Sequence, residues 1–193
     1  MTTETVRPTH SLMEFFRRRL QREAEALGLE PPPAEETLWY LCDVLGRFSR
    51  SEHLFDYFDG RYGVRPLALV YGDALAAPND RVRCQLLQRL GELALFAGAF
   101  LRERYRRWGI RRDYFVGMGS GAYEYLAENA PDNRHVYRDL GHRFQPLLEL
   151  VAAAGEPDAD ADPRRVMALY QQWLRTRDPR LARRLRRLGI ALA

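Results

Sequence analysis

Asp80 to Trp108 reads DRVRCQLLQRLGELALFAGAFLRERYRRW. Val82, Leu86, Leu90, Leu93, Ala97 and Phe100 recur every three or four residues, and Leu87, Ala94, Gly98 and Leu101 add a second apolar face. One apolar stripe marks a helix lying on a surface, whereas two mark a helix enclosed by others. The stretch therefore predicts a long central helix over about 80–108, buried on all sides near its middle. Its most apolar run, Leu93 to Leu101 between Glu92 and Arg102, falls far short of the ~20 residues needed to cross a bilayer.

Upstream of this helix, Ser11 followed by Glu14 has capping-box spacing, and Leu12, Phe15, Phe16, Leu20 and Leu27 predict a first helix over 12–27. Pro31 to Pro33 form a stiff connector. Pro33 then opens a second helix in which Trp39 and Phe48 read as core anchors. Ser51 is placed to cap a short helix with Leu54, Phe55 and Phe58, ended by a turn at Asp59-Gly60, and Pro66 to Ala76 suits a helix better than a strand. Downstream, Asp113 and Asp132 are positioned to cap two more helices, the second bent where Pro146 lacks a backbone donor. Asp162-Pro163 and Asp178-Pro179 each pair a capping aspartate with proline at the first helical position, which starts two final helices.

The expected fold class is all-α, an irregular bundle of about seven to nine helices around the central one. Residues 1–154 read as a helical core domain, 155–162 as an acidic linker and 163–193 as a basic helical pair docked on the core. With 46% hydrophobic and 29% charged residues among 193, the composition is that of a folded chain. Met1 to His10 contains Glu4 and Arg7 without an apolar run, so no secretory signal is read and a cytoplasmic location is expected. Cys42 and Cys84 each sit in an apolar helical pattern, as reduced packing residues do. All 30 residues counted as Lys+Arg are arginine. The absence of lysine excludes Schiff-base chemistry, a phosphate-loop lysine and a lysine general base.

Charge is divided unevenly along the chain. Residues 164–193 contain nine arginines and one acid, Asp178, a net +8; since the whole chain is +4, residues 1–163 carry −4. On the last helix Leu181, Leu185 and Leu188 form an apolar stripe, while Arg180, Arg183, Arg184, Arg186 and Arg187 occupy the rest of the circumference. A basic amphipathic helix attracts an acidic protein, a nucleic-acid backbone or an anionic membrane surface. It serves equally as a docked helix with solvated arginines. Tyr57, Arg61 and Tyr62, around the Asp59-Gly60 turn, form a second candidate partner surface, because aromatic and arginine side chains are enriched at interaction hot spots.

Gly117-Met118-Gly119-Ser120-Gly121 superficially resembles a phosphate-cradling loop but lacks the G-x-G-x-x-G spacing and a partner lysine. Its glycines instead offer a small patch for close approach, with Tyr114, Gly117, Gly121 and Tyr125 as a candidate ligand pocket. Such a glycine-rich helix also suits a flat cofactor, with His10 or His53 as an axial haem ligand. His135, Asp139 and His142 lie at i, i+4 and i+7, on one helical face, and are weak metal candidates; a di-iron bundle needs paired Glu-x-x-His motifs that the chain lacks. Asp158, Asp160 and Asp162 alternate like the start of a calcium loop, but Pro163 and Leu169 stand where glycine and glutamate are required. No motif assembles a nucleophile with a base, and no cofactor is called for. The leading expectation is a non-catalytic interaction or regulatory protein with a protein partner, including a second copy as a homodimer. Two alternatives stand beside it: a nucleic-acid or ribonucleoprotein binder acting through the terminal arginines, and a helical haem or small-molecule binder with its pocket near Gly117 to Tyr125.

Overall fold

The computed structural model describes residues 8–48, 56–58, 60–155, 163–188, 190 and 192. In chain order these form α1 (Pro8–Ala26), α2 (Glu35–Phe48), β1 (Asp56–Phe58), β2 (Arg61–Gly63), α3 (Leu67–Leu75), α4 (Asp80–Phe100), α5 (Arg102–Arg106), α6 (Arg112–Asn129), α7 (Arg134–His142), α8 (Phe144–Ala154), α9 (Pro163–Thr176) and α10 (Pro179–Arg187). The fold is an all-α bundle with one small antiparallel ribbon, and among the described residues no helix is long and apolar enough to cross a membrane.

Helix α4 is the centre. Its eight consecutive residues Gly91 to Gly98 are all buried, as its two apolar faces require. α3 and α6 pack along it, α2 and α8 flank it, and α7 lies on α6. Small residues set these approaches. A Cβ on Gly91 would fall 2.8 Å from the Tyr123 ring of α6, and one on Gly98 would fall 3.1 Å from both Leu148 of α8 and Phe115 of α6. The outer layer closes through α1, which packs on α2 and α8. There Arg19, itself buried, donates from Nε to the Ala154 carbonyl at 2.5 Å. A cation at a helix C-terminus satisfies an orphan carbonyl and meets the negative end of the dipole.

Several local expectations are corrected. The central helix stops at Phe100 instead of Trp108: Leu101 leaves helical geometry (φ −112°, ψ 9°), the five-residue α5 follows, and Gly109 in the left-handed region (φ 75°) ends it. The bend brings Tyr105 edge-on to Phe115 with ring centroids 5.2 Å apart, a buried contact that a straight helix would forgo. Phe58 lies in a strand, not a helix: Tyr57 pairs with Tyr62, and Gly60, between the two strands, has φ 72°. A two-residue Asp-Gly loop between aromatic residues is a strong hairpin signal, so turn chemistry outweighs the apolar spacing. The proposed cap at Ser51 and the linker 156–162 lie outside the described residues.

Helix caps follow the same lesson. α1 begins at Pro8, so Ser11 and Glu14 fall within it and Glu14 binds Arg17 and Arg18 instead. α2 begins at Glu35, after the three prolines, and Trp39 is only half-buried, beneath the Arg17 guanidinium at 5.6 Å. α6 starts at Arg112, ahead of Asp113, and α7 starts after Asn133 (φ 59°) instead of Asp132. Pro146 produces a break, not a bend: Arg143 separates α7 from α8, and the proline sits in the first turn of α8, where no donor is required. The start of α4 at Asp80 and the cap of α10 stand as expected. Asn79 accepts from the Val82 amide at 3.0 Å, and Asp178 accepts from the Arg180 amide at 2.7 Å with Pro179 opening the helix.

Candidate functional site

The C-terminal helices bury one face and expose the other. Val166, Tyr170 and Trp173 of α9 and Ala182 and Leu185 of α10 join the hydrophobic core, as does Ile190, with Leu181 and Leu188 half-buried beside them. Helical spacing turns Arg180, Arg183, Arg184 and Arg186 outward; all four are exposed, and none makes an ion pair with another described residue. The side chain of Arg187 lies outside the description. The one acid within residues 164–193, Asp178, is spent on capping α10, and Arg177 stacks over Trp173 at 4.4 Å. The face therefore carries positive charge that nothing within the helix pair offsets.

A second site lies between α3, α4 and α6. The five-residue glycine segment is continuous helix, so it cannot form a phosphate-cradling loop. Its glycines face different ways. A Cβ on Gly119 would fall 2.0 Å from the buried Phe144 ring, whereas Gly117 and Gly121 have nothing within 4 Å. Those two open onto a cleft of about 570 Å³ whose walls include Tyr71, Leu75, Arg83, Met118 and Tyr125. Gly117, Gly121 and Tyr125 thus line one cleft. Tyr114 is not part of the lining; its hydroxyl accepts from the Ala68 amide at 3.1 Å and braces α6 against the start of α3. Arg83, which sequence reasoning passed over, supplies the cleft's cation. It donates through Nη1 to Asp80 at 2.8 Å and to the Tyr125 hydroxyl at 3.4 Å, and through Nε to the Ala74 carbonyl at 3.3 Å.

Comparison with protein-family models, curated proteins and solved structures finds no match. Residue chemistry alone carries the functional reading.

The remaining candidates are dispersed or engaged. Asp139 accepts from the Thr37 hydroxyl at 2.8 Å and from Arg143 at 3.3 Å, tying α7 to α2. His135 and His142 are exposed, and among the described residues no three His, Cys, Asp or Glu side chains are grouped to hold a metal ion. His53 and the side chain of His10 lie outside the description. Tyr57 is exposed in the middle of β1, while the side chains of Arg61 and Tyr62 are not described. Both cysteines are buried and free, and burial pushes the Cys42 thiol up to about 12 and that of Cys84 upward. A thiol held protonated is a poor nucleophile.

One internal group escaped sequence reasoning altogether. Glu92, 2% exposed, sits in the most apolar part of α4. Arg47 of α2 grips it with two bonds of 2.9 and 2.7 Å, Tyr40 donates at 3.0 Å and Gln88 at 3.0 Å. The Tyr40 hydroxyl also meets that of Tyr123 at 3.3 Å, and Tyr137 stacks on Tyr123 with centroids 5.9 Å apart. Burial, then the neighbouring Tyr123 and Glu92, holds the Tyr40 phenol well above its usual range; burial and then Glu92 do the same for Tyr123 and, to a lesser degree, Tyr137. Every part of the Glu92 carboxylate is satisfied from within the chain, which makes this a brace joining α2 to α4.

Proposed function

We propose that the chain is a non-catalytic interaction protein that binds an acidic partner protein through the exposed arginine face of α10. The observation that supports this is the set of four exposed arginines, none ion-paired to another described residue, on a helix whose opposite face is anchored. Guanidinium forks match carboxylates in pairs and keep their charge at any working pH. An anchored helix also binds without first losing the entropy of ordering, which favours affinity over that of a free tail. Nucleic acid is the second reading. A bare phosphate-binding face would serve it, but the outward positions of α10 offer no aromatic residue for base stacking and no amide for base edges. Residues 1–163 carry −4, so a second copy of the chain also qualifies as the acidic partner.

The test compares a glutamate-rich peptide with a duplex RNA of similar charge, titrated into the native chain and into a variant with Arg180, Arg183, Arg184 and Arg186 changed to alanine. Peptide binding that weakens with salt and is lost in the variant supports the proposal. Affinity that is insensitive to salt, or that survives the four substitutions, refutes it. Markedly tighter binding to RNA, with a steep salt slope, would move the assignment to nucleic acid.

A further inference from the structure

We infer that the cleft between α3, α4 and α6 binds a small apolar monocarboxylate, held at its charged end by Arg83 and Tyr125. The inference is independent of the arginine face, since α10 contributes nothing to this cleft.

Three observations converge on the site. The first is the pair of open glycines. A glycine inside a helix costs about 1 kcal/mol relative to alanine, and the chain recovers that cost at Gly119 by seating Phe144 against it. At Gly117 and Gly121 no described atom of another element comes within 4 Å of a built Cβ, so the close access they offer is to something outside the described chain. The second is the apolar wall. Leu75 is 63% exposed and Tyr71 42%, both beside the cleft, where large apolar side chains gain most from a ligand that covers them. At about 570 Å³ the cleft falls within the ~300–1,000 Å³ usual for small-molecule sites.

The third observation selects the ligand's charge. Of the Arg83 guanidinium nitrogens, Nε and Nη1 are committed, while Nη2 donates to no described residue. The Tyr125 hydroxyl accepts from Arg83 but donates its own proton to no described residue. Two free donors at one end of an apolar cleft call for an anion, and a carboxylate can accept from both at once. Asp80 already offsets part of the Arg83 charge, which favours a monoanion over a phosphate dianion. The ligand is therefore a carboxylate with an apolar body of roughly ten carbons, a size suited to sites of this volume.

The experiment titrates decanoate, decanol and inorganic phosphate into the full chain by calorimetry, and repeats the series with Arg83→Gln and Gly121→Leu. Saturable decanoate binding is expected, with decanol weaker by roughly tenfold or more, the ordinary worth of hydrogen bonds to a charged group. Phosphate should not compete. Arg83→Gln should weaken decanoate to the level of decanol while leaving decanol unchanged. Gly121→Leu should abolish binding of both by filling the cleft; because its Cβ meets nothing, this variant keeps its fold, as a thermal melt will show. Equal affinity for decanoate and decanol, binding retained by Gly121→Leu, competition by phosphate, or no saturable uptake of decanoate would each overturn the inference.

Discussion

Gly119 and Gly121 lie two positions apart on α6 and answer to opposite forces. Alanine at 119 would drive a methyl into the buried Phe144 ring, 2.0 Å from its Cζ. Alanine at 121 meets nothing and gains helix propensity. Gly119→Ala should therefore destabilise the chain by about 1–3 kcal/mol, the usual penalty of overpacking, whereas Gly121→Ala should stabilise it by up to about 1 kcal/mol. Urea denaturation of the two variants checks this, and losses of similar size in both would refute the assignment of the two faces. The sequence marks the glycine cluster as a place of close approach but cannot say which glycine meets the protein, because that depends on where Phe144 arrives from α8. Glu92 was illegible for a related reason. In sequence it bounds an apolar run, and its partner Arg47 lies 45 positions away.

Helices were readable as periodicity, and their ends were not. The enclosed centre of α4 follows from two apolar faces, and the starts of α4 and α10 follow from capping residues with no competitor. Ser11, Asp113 and Asp132 have equally good capping chemistry and sit elsewhere, because packing of the apolar face decides where a helix begins and a cap contributes only about 1 kcal/mol. For α10 the division between apolar and charged faces makes a sharp prediction. Leu185 is completely buried, so Leu185→Ala should cost about 2–5 kcal/mol. Replacing the exposed Arg183 and Arg184 by alanine should change stability by less than about 0.5 kcal/mol each. Thermal or urea unfolding reads both; an arginine loss as large as the leucine loss would mean that the arginines are holding the fold together. The candidate cleft was half legible, since Gly117, Gly121 and Tyr125 recur at helical spacing while Arg83 comes from a different helix.

Taken as a unit, the bundle gathers three of its ten tyrosines into one cluster, and that has a consequence for alkaline stability. Tyr40, Tyr123 and Tyr137 all have their ionisation pushed above the usual 10 by burial. Below about pH 10 both the folded and unfolded chains keep these phenols protonated and full stability is present. As pH rises past the unfolded value, only the unfolded chain releases the protons, so stability falls until the folded values are reached. Unfolding, read as loss of helical circular dichroism, should therefore set in above about pH 10, and a Tyr137→Phe variant, which removes one of these groups, should lose less stability as the pH rises. Helical circular dichroism that holds unchanged well above that pH would refute this.

The contact between Arg19 and the Ala154 carbonyl spans 135 residues. A ribosome adds roughly 5–20 residues each second, so α1 leaves the exit tunnel on the order of ten seconds before the helix it must clasp exists. During that wait α2 covers part of its oily side, and the rest is open to chaperones or to a neighbouring nascent chain. Docking of α1 against α8 therefore waits until α8 has been made, and slowing translation between α2 and α8 should lengthen the exposure of α1 to them.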